Sequence, residues 1–200
     1  GDDLLADLQI AADSLRQNQG RHIVRGSLGR LIRKVKLFGM HLVPLDVRED
    51  SRFHRETVAE LMRHYGMCDN FSELPEDEKM ALVTHEITGM RPFFPIEPSF
   101  SETTNRVIAT WRMIARAHKR YGTACIDSVI ASMSTAPSDT LMMLMFAKEV
   151  GIAKSIDLVP LFETIDDLRA APHVMTTLFE NPAYRSHLKD RGDRQQIMLG

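Results

Sequence analysis

Apolar positions in the first third of the chain recur at helical spacing. Leu4, Leu8, Ala11, Ala12 and Leu15 share one face, as do Leu28, Leu31, Ile32 and Val35. Gly39 stands where a helix stop is expected. A short extended run follows over residues 41–47, in which Pro44 argues for an irregular or edge strand. Arg48-Glu49-Asp50-Ser51 leads into a helix that places Val58, Leu61, Met62 and Tyr65 on one face, and Gly66 closes it. Pro75 with Glu76, Asp77 and Glu78 opens the next helix, because acids in a first turn complement the helix dipole. Met80, Val83 and Ile87 line its buried side, and Gly89 ends it. Residues 91–98 hold three prolines and read as an irregular loop. Ser101 is placed to cap a long helix with Val107, Ile108, Trp111, Ile114 and Ala115 inward.

From Thr123 the pattern changes. Residues 124–130, 156–162 and 196–199 are short runs rich in Ile, Val or Leu, which suit buried strands. Helical segments lie between them at 139–150 and 164–180, the second interrupted by Pro172 and opened by the capping pair Thr164 and Asp167. Strand alternating with helix predicts parallel strands joined by crossovers, so the expected class is a helix-rich α/β fold. With no repeat, low-complexity tract or linker, residues 1–200 read as one structural unit. Within it, residues 1–39 are helical, 40–122 hold the first strand plus a helical insertion, and 123–200 alternate strand and helix.

Composition narrows the class without naming a function. The 200 residues are 44% hydrophobic and 26% charged with a formal net charge of −2, an ordinary globular balance that argues against a nucleic-acid footprint. The basic run over residues 21–36 interleaves with apolar positions and reads as the solvated face of an amphipathic helix. No apolar stretch approaches the ~20 residues of a membrane span. Cys68 and Cys125 lack metal-site spacing and suit free thiols in a reducing compartment, so a cytoplasmic protein is expected.

Each expected strand runs into polar residues: Arg48-Glu49-Asp50, the turn from Ser132 to Asp139, and Glu163 through Asp167. Ligands of parallel βα architectures sit at the carboxyl ends of the strands. Glu163, after the apolar Leu158-Val159-Pro160-Leu161-Phe162, is either a hard-metal ligand or a helix-cap acid. Arg48 suits a phosphate through its planar, permanently charged fork, or else pairs with Asp46, Glu49 or Asp50. The Ser132–Asp139 turn suits helix capping, and the methionines of Leu141-Met142-Met143-Leu144-Met145 suit core filling. His85-Glu86 lacks the second His of a zinc helix. The fourth strand stops at Gly200, so whatever it delivers is expected beyond this chain.

At these strand ends the sequence resembles the phosphoenolpyruvate carboxylase family. The resemblance is carried by Leu45-Asp46-Val47-Arg48-Glu49-Asp50-Ser51 with His54, and by Gly89-Met90-Arg91-Pro92. It continues through Ser132-Met133-Ser134-Thr135-Ala136-Pro137-Ser138-Asp139, Pro160-Leu161-Phe162-Glu163-Thr164-Ile165-Asp166-Asp167-Leu168 and Gln196-Ile197-Met198-Leu199-Gly200. These segments occur in the family's order from about Leu31 onward. Asp50 stands where the family more often has Glu.

The resemblance implies a partial (β/α)8 TIM-like barrel with long helical insertions, usually assembled as a homotetramer. It implies carboxylation of phosphoenolpyruvate by bicarbonate to oxaloacetate and phosphate, with Mg²⁺ or Mn²⁺, and no nucleic-acid or membrane partner. By position, Arg48 contacts the substrate phosphate, Glu163 is a metal ligand, and Leu161 and Met198 line an apolar pocket for carbon dioxide. The family's second metal acid is expected beyond Gly200, its catalytic His upstream, and its Gly/Arg-rich loop and inhibitor site downstream. The 200 residues alone are therefore expected to be inactive and, as a half-barrel with open strand edges, poorly soluble. Two rivals keep some of these features. A different metal-dependent lyase predicts no bicarbonate dependence, and a helical scaffold protein makes Glu163 a mere cap.

Overall fold

The computed structural model describes all residues 1–200. It divides into two compact units, Gly1–Pro44 and Leu45–Gly200, whereas the lack of any linker-like stretch leads one to expect a single unit over 1–200.

The first unit is helical, as the periodicity predicts. Helix α1 spans Asp2–Gln17, and a single turn, α2, spans Arg21–Ile23. A wider π-type turn over Val24–Leu28 passes into α3, Gly29–Phe38, and is broken at Gly26. Ala12, Val24 and Ile32 form its small core, with Leu5, Leu8, Leu15 and Leu28 packed around them. Leu31, expected on the inner face, is instead 45% exposed, because it lies at the edge of the stripe that Leu28, Ile32 and Val35 turn inward. Gly29 is where the chain can tolerate no side chain: a Cβ there would lie 2.3 Å from the Val24 carbonyl oxygen.

The second unit is built on four parallel strands in sequential order: β1 Leu45–Asp50, β2 Ile126–Ser132, β3 Asp157–Phe162 and β4 Met198–Leu199. Strand β1 begins after Pro44 and carries Arg48-Glu49-Asp50 inside it, later than the expected 41–47. Proline offers no N–H to a ladder, so pairing with β2 starts at Leu45. Helices α4 (Ser51–His64), α5 (Glu76–Thr88) and α6 (Glu102–Tyr121) separate β1 from β2. The predicted caps hold: the Ser101 hydroxyl accepts from the Thr104 N–H at 3.3 Å at the start of α6. Helix α7 (Pro137–Glu149) joins β2 to β3, while α8 (Ile165–Glu180) and α9 (Pro182–Asp190) join β3 to β4.

Helix α7 is buried on all sides from Pro137 to Ala147, which is why its run of Leu and Met shows no polar face. It packs with Val58, Leu61 and Met62 of α4, Trp111 and Ile114 of α6, and the Val129, Ala131, Leu158 and Phe162 face of the sheet in one core. Helix α8 carries the expected reciprocal cap, Thr164 with Asp167, and continues through Pro172 at the loss of one ladder hydrogen bond. Helix α9 has no counterpart in the periodicity reading. Asn181 initiates it by accepting the N–H groups of Ala183 and Tyr184, with Pro182 at its first position.

Candidate functional site

Alternation along each strand sends every second side chain to the face opposite the helical core. Register places Arg48 beside Ile130 and Ile130 beside Val159, while Leu161 pairs with Met198. These neighbours share that second face. Ile130, Val159 and Leu161 form a small apolar cluster of their own, with Met198 packed against it. Of the four residues singled out from the sequence, Leu161 and Met198 are thus brought into contact.

Arg48 lies on the same face but stays solvent-exposed, its Nε 3.7 Å from Asp46 Oδ2. Both side chains are about half exposed, so this ion pair contributes little and leaves the guanidinium available. Glu163 follows the last residue of β3 and is also exposed. Its Oε2 accepts the backbone N–H of Met133 at 2.9 Å, which anchors one carboxylate oxygen and ties the end of β3 to the turn after β2. Gly200, beyond β4, donates its N–H to the Phe162 carbonyl at 3.0 Å and flanks Glu163 on the other side.

A second constellation, which spacing did not reveal, supports the turn after β2. Arg55, one turn into α4, clasps Asp139 at the start of α7: Nε to Oδ1 at 2.6 Å and Nη2 to Oδ2 at 2.8 Å. The Asp139 side chain is completely shielded from solvent. Its Oδ2 also accepts the N–H groups of Thr135 and Ala136, at 3.0 and 3.2 Å. The Asp139 carboxylate raises the Arg55 pKa above its ordinary value, against the opposing effect of burial. Arg55 and Ser51 both donate to the Met133 carbonyl, at 3.2 and 2.6 Å. The Ser132–Asp139 turn therefore does cap α7, as its composition suggests, with Asp139 reaching back to the Thr135 and Ala136 N–H groups, and a long-range ion pair with Arg55 holds that carboxylate in place. The partners lie 84 residues apart, which no local pattern records; the only local hint is Ser51 and Arg55 four apart on one helix face.

Glu76 completes the collar by accepting the Ser138 N–H and hydroxyl, at 2.7 and 3.0 Å. Burial pushes its carboxyl pKa up, against the lowering effect of those two bonds. Beside it, Arg52, Arg55, Phe71, Glu76 and Lys79 line a cleft of about 400 Å³, whose walls include none of the four predicted residues. His54, part of the first motif, is buried between Trp111 and Phe146. Burial drops its pKa to about 4, the nearby Asp139 and Asp50 only partly opposing this, so the ring is neutral at pH 7 and belongs to the core.

A hard divalent cation prefers several oxygen ligands. Glu163 offers one, since Oε2 is held by Met133 and the side chain is open to solvent. No group of three or more His, Cys, Asp or Glu side chains is gathered to hold a metal. The donor chemistry fits Mg²⁺ or Mn²⁺ at one vertex.

The family model for phosphoenolpyruvate carboxylase matches residues 1–200. The chain is 36% identical over 203 residues to the phosphoenolpyruvate carboxylase of Roseiflexus castenholzii, covering 99% of this chain and 22% of that protein. It is 38% identical over 203 residues to the enzyme of Rhodopseudomonas palustris strain HaA2, covering 99% of this chain and 22% of the relative. The enzyme of Gloeobacter violaceus is 38% identical over 205 residues, with the same coverage of 99% and 22%. The chain thus spans about a fifth of the length of the curated relatives it matches. With a match running its whole length and the family's motifs set at the carboxyl ends of its parallel strands, this chain belongs to the phosphoenolpyruvate carboxylase family.

Proposed function

We propose that the full-length protein carboxylates phosphoenolpyruvate with bicarbonate to give oxaloacetate and phosphate, and that this chain supplies one sector of its active site. The observation that carries the reading is the arrangement on one sheet face. An exposed cation at Arg48 on β1 and an apolar pair at Leu161 on β3 and Met198 on β4 lie on that face, with an open carboxylate at Glu163 just past the end of β3. In this reading the four parallel strands are part of a TIM-like (β/α)8 barrel, with α4, α5 and α6 as a helical insertion. Sequential strand order with helical crossovers supports it. The assembled enzyme is a cytoplasmic homotetramer.

The chemistry divides among these residues. Arg48 binds the phosphate of phosphoenolpyruvate through its fork and offsets negative charge as a bicarbonate oxygen attacks phosphorus and the enolate leaves. The resulting carboxyphosphate releases carbon dioxide, and the enolate carbon then attacks it. Leu161 and Met198 keep that step dry, since water would protonate the enolate. Glu163 would hold Mg²⁺ or Mn²⁺, which supplies Lewis-acid stabilisation of the phosphate and enolate oxygens.

The test is oxaloacetate formation by the full-length enzyme, coupled to reduction by malate dehydrogenase. Activity should require both bicarbonate and a divalent cation. Arg48→Gln should lower kcat/KM for phosphoenolpyruvate by about 10²–10³, the loss expected for one charge-stabilising donor. Oxaloacetate production independent of bicarbonate, or an Arg48→Gln enzyme as active as the parent, would sink the reading.

A further inference from the structure

Met133 is a non-glycine residue held in the left-handed region, at φ 54. For an L residue that backbone costs about 1–3 kcal/mol and persists only where its surroundings impose it. Both polar atoms of its backbone are occupied. The carbonyl accepts from Ser51 Oγ at 2.6 Å and Arg55 Nη2 at 3.2 Å, while the N–H points to Glu163 Oε2 at 2.9 Å. Arg55 is itself immobilised by Asp139 and by the Thr135 hydroxyl, 3.1 Å from Nη2. A single guanidinium therefore grips the turn at Met133, Thr135 and Asp139.

We propose that Arg55 is a positioning residue for Glu163, acting with Ser51 through the left-handed backbone of Met133. The inference rests on Glu163 being a metal ligand. Partners that orient a metal ligand typically change metal affinity or activity by 10–100-fold when removed. Here the relay is the backbone of Met133. Ser51 and Arg55 hold the peptide group on its carbonyl side, its left-handed backbone sets the angle to the preceding peptide group, and the N–H of that group immobilises one oxygen of Glu163 and presents the other. Asp139 keeps Arg55 in place and touches neither Met133 nor Glu163 in this chain of bonds.

The experiment uses full-length enzyme without substrates, with Mn²⁺ binding followed by the electron paramagnetic resonance of free Mn²⁺ and steady-state kinetics run in parallel. Arg55→Gln should weaken Mn²⁺ binding at least tenfold and raise the metal concentration for half-maximal activity, with the far-ultraviolet circular dichroism unchanged. Ser51→Ala removes the other donor without unpairing a charge, and should shift affinity in the same direction by less. Adding Met133→Gly to Arg55→Gln should recover at least about threefold, because glycine enters the left-handed region without strain. A general packing role for Arg55 predicts no such rescue. Should Arg55→Gln fail to fold, Ser51→Ala carries the test, and unaltered Mn²⁺ affinity in it overturns the proposal. Affinity lost in Glu163→Gln but kept in Arg55→Gln and Ser51→Ala overturns the positioning role alone. Affinity kept in Glu163→Gln overturns the metal-ligand reading and the positioning role with it.

Discussion

Replacing Asp139 by Asn preserves the outline of the side chain and removes its charge. The carboxylate takes four hydrogen bonds: Oδ1 from Arg55 Nε, and Oδ2 from Arg55 Nη2 and the N–H groups of Thr135 and Ala136. An amide has one acceptor oxygen, and the position facing three donors is where it belongs. Its NH₂ group then meets Arg55 Nε–H, donor against donor. Breaking a fully buried ion pair costs about 3–5 kcal/mol. The Arg55 side chain is 38% exposed, however, and can turn toward water, which reduces the expected cost to about 2 kcal/mol. The loss should appear locally, as easier opening of the turn before α7. Hydrogen exchange in the full-length enzyme, read by mass spectrometry on peptides covering Thr135 and Ala136, is the direct assay. An opening free energy lowered by about 2 kcal/mol accelerates exchange about thirtyfold. Exchange within threefold of the parent at those two amides would refute the view that this ion pair holds the turn.

The remaining predictions concern the rest of the core and the first unit. His54 carries a folded-state pKa lowered to about 4 by burial, so below pH 6.5 the unfolded chain binds a proton that the folded one refuses. Stability therefore falls by about 3 kcal/mol as pH drops from 6.5 to 4 and is restored at neutral pH. His54 is faced by Asp139, Asp50, Arg106 and Arg55 as well as by the two rings; His54→Phe should flatten the thermal midpoint between pH 7 and pH 5, and an unchanged slope would contradict the assignment. Ser101→Ala removes the cap of α6 together with a 2.6 Å hydrogen bond to Glu60, and should cost about 1–2 kcal/mol, seen as faster exchange in the first turn of that helix. Gly29→Ala drives a methyl group into the Val24 carbonyl and should destabilise the first unit by about 1–3 kcal/mol, measured as increased protease cleavage within Gly1–Pro44.

Much of the candidate site is legible because family motifs and strand grammar coincide. Glu163 after a five-residue apolar run, and Met198 in another, could be placed at strand ends by pattern alone. Their partners could not. Register is set by which backbone groups pair, so only the folded sheet reveals that Met198 stands beside Leu161 and that Arg48 neighbours Ile130. The start of β1 departs from the apolar pattern for a related reason. Apolar content points to residues 41–47, whereas ladder pairing, excluded at Pro44, begins at Leu45 and runs through the charged Arg48-Glu49-Asp50.

What the sequence determined by itself was local and periodic. The caps at Ser101 and Thr164, the helix stops at Gly39, Gly66 and Gly89, and the all-round apolar α7 follow from backbone conformations and burial that a few neighbouring residues dictate. The tertiary structure decided everything that joins residues distant along the chain. Arg55 meets Asp139 across 84 positions, and Glu163 reaches the Met133 amide across 30. Charge pairs and amide contacts of that kind leave no spacing to read, because the intervening chain only has to bring two elements together and can do so at any length. The four residues named from sequence make up the surface proposed as reactive, and the hydrogen-bonded frame around Glu163 is visible only once α4, β2 and α7 are packed against each other.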